Sequence, residues 1–141
     1  MGRLPGVIIA AILAICIAEP APAATRTVSL VGAWQVCDPN GCSLRYAFMP
    51  NGRVIKQYVL RDVTVTARGR YHQRGNGLQI VWTRFSPRRV CGPPSAAGGQ
   101  QPSDCAPTAE PNVEGPLQFE GFNTLVWTIP SAPLRLVRIE Q

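Results

Sequence analysis

The sequence holds one lysine and one histidine, has no Cys-x-x-Cys pair, and contains no apolar run near the roughly 20 residues that a membrane-spanning helix requires. The missing run excludes a helical polytopic membrane protein. A single histidine, with cysteines that are not paired at short spacing, leaves no zinc-ligand pattern and no thioredoxin-like redox motif. Neither a phosphate-binding glycine loop nor a metalloprotease helix motif occurs, and no carboxylate pair stands out. Charge is also scarce. Only 16% of residues are charged while 45% are hydrophobic, which sets the chain apart from highly charged disordered proteins. No sustained helical period follows the N-terminal segment, and 14 prolines with 13 glycines argue against a helix bundle.

The first two dozen residues read as an address. Arg3 is followed by an unbroken apolar run of twelve, Val7 to Ala18, and then by small residues at Ala21 and Ala23. Twelve residues at about 1.5 Å each cover only about 18 Å, too little to span a bilayer. The pattern is that of a secretory signal peptide over residues 1–23, leaving 24–141 as one exported domain, periplasmic or secreted and not membrane-spanning after cleavage. Ile15 before Cys16 is too large for a lipoprotein signal, and Gly6 replaces the Ser or Thr that N-myristoylation wants. Removing 1–23 takes away one base (Arg3) and one acid (Glu19), so the formal charge of +6 is unchanged. Four cysteines remain: Cys37, Cys42, Cys91 and Cys105. An even set in a small exported chain implies two disulfides.

Short β-like runs then alternate with turn signals. Leu30 to Val36 ends at Asp38-Pro39-Asn40-Gly41, and Leu44, Tyr46 and Phe48 alternate with Arg45 and Ala47 as on a half-buried strand. Pro50-Asn51-Gly52 turns into Val54 to Leu60, Val63 begins an alternating stretch reaching Gln73 with a break at Gly69, and Gly75-Asn76-Gly77 leads into Leu78 to Phe85. Ser86 to Pro116 carries seven prolines and four glycines and is expected to lack regular structure, a Pro/Gly-rich segment at 86–116 bracketed by a disulfide. Leu117 to Glu120, Leu125 to Ile129 and Leu134 to Ile139 complete about eight strands. Consecutive strands joined by tight turns favour an all-β fold, an antiparallel up-and-down barrel that leaves no free edge, with a β-sandwich as the alternative.

Leu30-Val31-Gly32-Ala33-Trp34 is the most specific string. A glycine two residues before a tryptophan on the first strand resembles the opening of lipocalins and related calycin barrels. The resemblance implies that Trp34 plugs the closed end of the barrel, beside Gly32, and that an arginine of the last strand, Arg135 or Arg138, packs across its ring in a cation–π contact. It also implies an interior ligand site for one small apolar or amphipathic molecule, with Tyr46, Phe48, Tyr58, Trp82 and Trp127 as lining candidates. The same residues, with Leu44, Leu78, Ile80 and Leu125, serve equally as packed core. The family's acidic and aromatic middle motif has no match in this sequence.

Four cysteines allow three pairings. Cys37 and Cys42 flank a four-residue turn, and Cys91 and Cys105 bracket the Pro/Gly segment, which favours those two pairs. His72, the single histidine, lies beside a turn with no nucleophile or orienting acid in a recognisable arrangement, so no catalytic constellation, metal site or cofactor is expected. Arginine outnumbers lysine thirteen to one, and seven arginines fall between residues 61 and 89. Arg68 and Arg70 would share a strand face, and Arg88-Arg89 opens the long segment. Guanidinium forks suit carboxylates and phosphates, so an anionic envelope component or an acidic protein is the expected partner of this face, and nucleic acid is not. Two functions follow: an exported non-enzymatic binder of a small apolar or amphipathic ligand, or a cell-envelope interaction or inhibitor protein using the arginine face and the 86–116 segment.

Overall fold

The computed structural model describes residues 28–93 and 104–140; the expected signal segment, with Cys16, and the middle of the Pro/Gly segment lie outside the described residues. Ten strands form in chain order: β1 (Gly32–Asp38), β2 (Gly41–Phe48), β3 (Arg53–Leu60), β4 (Val63–Arg74), β5 (Gly77–Ser86), β6 (Arg89–Cys91), β7 (Cys105–Pro107), β8 (Val113–Phe119), β9 (Thr124–Thr128) and β10 (Pro133–Arg138). Eight of them close into an antiparallel barrel ordered β1-β10-β9-β8-β5-β4-β3-β2, while β6 and β7 pair separately as an excursion between β5 and β8. Because β1 pairs with both β2 and β10, the barrel has no open edge. This is the expected barrel and not a sandwich.

Period-two alternation decides which side chains face in. Tyr46 and Phe48 of β2, Val54 of β3, Leu78, Ile80 and Trp82 of β5, Leu125 and Trp127 of β9 and Leu136 of β10 all point into one buried cluster. The aromatic members fill the middle of the barrel by packing on one another. Tyr46 stacks on Phe48 with ring centroids 5.8 Å apart, meets Trp127 edge-on at 6.2 Å, and Phe48 meets Tyr71 edge-on at 5.1 Å.

Two glycines let strands approach where any side chain would collide. At Gly69 the strand does not break as expected. β4 runs through it, and the irregularity lies opposite, where Arg68 pairs with Arg84 and Gly69 with Trp82, leaving Thr83 as an extra residue in β5. A Cβ on Gly69 would run into the Val81 carbonyl, and one on Gly115 would run into the Thr128 carbonyl beside the Trp127 indole.

The antiparallel order gives the barrel two different ends. The closed end holds the chain entry at 28–31 and the β2–β3, β4–β5 and β8–β9 turns. There Trp34 is fully buried and its indole N–H donates to the Leu30 carbonyl at 2.8 Å. The Arg138 guanidinium lies 4.2 Å from the Trp34 ring centroid and donates to the carbonyls of Ser29 (2.6 Å) and Val31 (2.9 Å). Gly32 has φ +135°, and a Cβ there would sit 2.6 Å from an Arg138 nitrogen, so glycine is what admits the guanidinium. Arg135, the other candidate, faces outward and pairs with Glu120 at 2.5 Å.

The mouth carries the β1–β2, β3–β4 and β9–β10 turns and the excursion. Disulfides Cys37–Cys42 and Cys91–Cys105 are formed, the first across the ends of β1 and β2, the second across β6 and β7. The expectation that 86–116 lacks regular structure is corrected here, since it contains β6, β7 and the first four residues of β8. Pro116 is tolerated because it sits where pairing to β5 ends and pairing to β9 begins.

Candidate functional site

The barrel mouth is where chemistry enters the apolar interior. Lys56, the single lysine, lies on β3 between Val54 and Tyr58, so alternation turns it to the inner face. Its side chain is only 14% exposed. Burying an ammonium is costly unless it is paired, and Lys56 Nζ meets the Glu110 carboxylate at 2.5 Å. Three rings surround it, with centroids at 4.8 Å for Tyr58, 5.8 Å for Trp82 and 5.9 Å for Tyr46.

Glu110 comes from the strap at 108–112 that follows β7. The strap is fastened at both ends. Thr108 is buried, its N–H donates to the Arg88 carbonyl at 3.0 Å and its hydroxyl to the Pro87 carbonyl at 2.5 Å. Asn112 accepts a hydrogen bond from the Trp82 backbone N–H at 3.2 Å. The β6–β7 hairpin behind it is held by Arg61, which donates to the Asp104 carbonyl at 2.8 Å, and by Arg89, which donates to the Cys105 carbonyl at 3.0 Å. Arg61 and Asp62 form the β3–β4 turn with φ of 50° and 64°, the left-handed pair that a tight hairpin turn demands.

This setting shifts the phenols. Burial, a hydrogen bond to Glu110 and the Glu110 charge push Tyr58 up to about 12. Burial first, then the Glu110 charge, moves Tyr46 further in the same direction. Both rings are therefore neutral hydrogen-bond donors across the physiological range. The buried indole N–H groups of Trp82 and Trp127 have no hydrogen-bond partner among the described residues, and that of Trp82, which flanks Lys56, is a donor a polar ligand atom could use.

The five lining candidates thus separate. Tyr58 and Trp82 flank Lys56, Tyr46 links Lys56 to the packed interior through its contacts with Phe48 and Trp127, and Phe48 and Trp127 lie in the packed core. Lys56 and Glu110 escaped sequence reasoning. The first was legible from its parity with Val54 and Tyr58, the second only from how the strap folds back.

The outer face gathers a second set. Arg68 and Arg70 line a groove of about 420 Å³ together with Arg53 and Arg84. Arg88 lines an adjoining groove of about 230 Å³ that shares Thr83 and Arg84. Arg89 is turned to the hairpin backbone instead. His72 lies exposed on a separate groove with Arg74, Gln79 and Glu114, which brings it no nucleophile. Among the described residues no three of His, Cys, Asp and Glu lie close enough to share a metal ion. No family model matches the chain, and no curated protein matches it.

Proposed function

We propose that this chain is an exported, non-enzymatic, lipocalin-like barrel that binds a small amphipathic ligand with an anionic head at the barrel mouth. One observation carries the reading: a single lysine buried inside an apolar, aromatic mouth and neutralised by a carboxylate from a strap that lies outside the barrel wall. Glu110 occupies the place of a ligand carboxylate or phosphate. Exchange of one anion for another on Lys56 leaves the charge balance of the mouth intact, so it avoids the penalty of an unpaired buried ammonium. The apolar part of the ligand then lies against Tyr58 and Trp82 and the partly buried Val36, Leu44, Phe85 and Leu134, which pack against the core. Export is supported by the two disulfides, which persist in oxidising compartments.

The test uses the mature, disulfide-bonded chain and dodecanoate, with dodecanol as the uncharged control, read by tryptophan fluorescence and calorimetry. Dodecanoate binds and dodecanol does not. Lys56→Met weakens dodecanoate by about tenfold or more, worth about 1.4 kcal/mol, while Glu110→Gln tightens it by removing the internal competitor. Equal binding of the alcohol, or a Lys56→Met variant that retains full affinity, overturns the reading.

A further inference from the structure

Independently of the mouth, we propose that the groove on the outer face of β3, β4 and β5 is a binding site for a phosphate- or pyrophosphate-bearing ligand. Arg53, Arg68, Arg70 and Arg84 all line it, with Thr83 beside them and no acidic residue in the lining. The register sets them in two cross-strand pairs, Arg53 opposite Arg70 and Arg68 opposite Arg84. Like charges directly opposite one another destabilise a sheet. A nearby carboxylate relieves such repulsion, as Glu120 does for Arg135. The guanidinium groups of these four have neither an ion pair nor a hydrogen bond among the described residues.

The bulge in β5 is what completes the set. Trp82 points into the barrel, so strict alternation would turn Thr83 outward and Arg84 inward. The extra residue at Thr83 returns Arg84 to the outer face opposite Arg68, and lets Phe85 face in opposite Ala67. Thr83 is fixed there by its hydroxyl, which donates to the Arg68 carbonyl at 3.1 Å. Bulges re-aim side chains at sites of function, and here the re-aimed side chain is the fourth arginine. Arg88 in the adjoining groove extends the positive field along one direction, which suits two linked phosphate groups better than one. Guanidinium forks bind phosphate oxygens two at a time.

The mature, disulfide-bonded chain is titrated with inorganic pyrophosphate at low salt by calorimetry and thermal shift. Pyrophosphate binds and raises the melting temperature. Arg53→Ser/Arg70→Ser and Arg68→Ser/Arg84→Ser each weaken it by about tenfold or more, while Arg135→Ser, which also removes one positive charge, leaves it unchanged. Vesicles of phosphatidylglycerol in phosphatidylcholine form the second arm. Vesicle binding that pyrophosphate displaces supports the site with a lipid headgroup as its phosphate, and pyrophosphate binding without vesicle binding supports it with a soluble one. Absence of pyrophosphate binding at low salt overturns the proposal, as does a loss of equal size in Arg135→Ser. Circular dichroism of the double variants shows whether the barrel is intact. Because neither pair touches Lys56, dodecanoate binding is unaffected in them, so failure here is distinguishable from failure at the mouth.

Discussion

Arg135 and Arg138 stand three residues apart on β10, carry the same charge, and should differ widely in what they contribute. Arg138→Ala removes a guanidinium stacked at 4.2 Å on a fully buried Trp34, together with two short hydrogen bonds to the carbonyls of Ser29 and Val31. A desolvated cation–π contact is worth about 2 kcal/mol, and a hydrogen bond from a charged donor roughly 1.5–3 kcal/mol. The two carbonyls lie near the barrel rim, where water can replace part of that loss, so the net destabilisation should be about 3 kcal/mol. Arg135→Ala breaks an ion pair whose side chains are 63% and 39% exposed, and such pairs contribute about 0–1 kcal/mol. With a urea slope of about 1.5 kcal/mol per molar, the unfolding midpoint should fall by about 2 M in the first variant and by no more than about 0.7 M in the second. Arg138→Lys keeps the charge and loses the fork, so it should fall between them. Urea unfolding followed by tryptophan fluorescence measures all three. Midpoints for Arg138→Ala and Arg135→Ala that agree within error would refute the assignment of Arg138 as the closing residue.

Gly115→Ala places a methyl group on the Thr128 carbonyl and against the Trp127 indole, so it should destabilise by about 3 kcal/mol or prevent folding; a midpoint near that of the unsubstituted chain would contradict the close approach. Asp62→Gly relieves a left-handed residue at φ 64° in the β3–β4 turn and should stabilise by about 1 kcal/mol, visible as a rise of roughly 4–8 °C in melting temperature. A fall instead would mean that the Asp62 side chain makes the turn. All three tyrosines have phenols raised above the ordinary 10.0, each by burial first, with Glu110 adding to the shift at Tyr46 and Tyr58. The folded chain therefore holds protons that the unfolded chain loses above pH 10, and stability should fall as pH rises from 10 toward 12. Phenolate absorbance of the folded protein should lag that of the denatured protein across this window. Tyr46 or Tyr58 ionising at its ordinary value in the folded chain would count against the buried mouth.

Alternation made most of the barrel legible. Leu44, Tyr46 and Phe48 announced β2, and the Asn-Gly and Gly-Asn-Gly turns marked the β2–β3 and β4–β5 hairpins, because both signals are local. The same rule distinguishes the two arginines of β10, which the resemblance alone leaves open. Arg138 shares parity with Leu134 and Leu136, which face the core, and Arg135 does not. Lys56 was available by the same argument, yet composition drew attention to thirteen arginines and away from one lysine. What could not be read locally was anything set by a partner strand. The bulge at Thr83 exists only in relation to β4, so the outward turn of Arg84 has no signature in its own segment. The pairing of β6 with β7 likewise depends on the bond between Cys91 and Cys105, fourteen residues apart, within a segment whose prolines mask any period.

The distribution of the few acids links the two sites. Glu110 neutralises Lys56 inside the mouth and Glu120 neutralises Arg135 on the surface, while the four arginines of the groove meet no carboxylate among the described residues. A solvated basic face has no reason to place arginines in register across three strands, where their repulsion opposes folding. An anion-binding face does, because a bound anion converts that repulsion into attraction and stabilises the folded chain by mass action, about 2.7 kcal/mol at a ligand concentration a hundredfold above the dissociation constant. The two views differ in the response to phosphate. Removing Arg53 and Arg70 together should raise stability in the absence of phosphate by relieving one like-charge pair, and should abolish most of the gain that pyrophosphate gives the unsubstituted chain. A face kept only for solubility would show the first effect without the second, because the repulsion is there whether or not an anion binds.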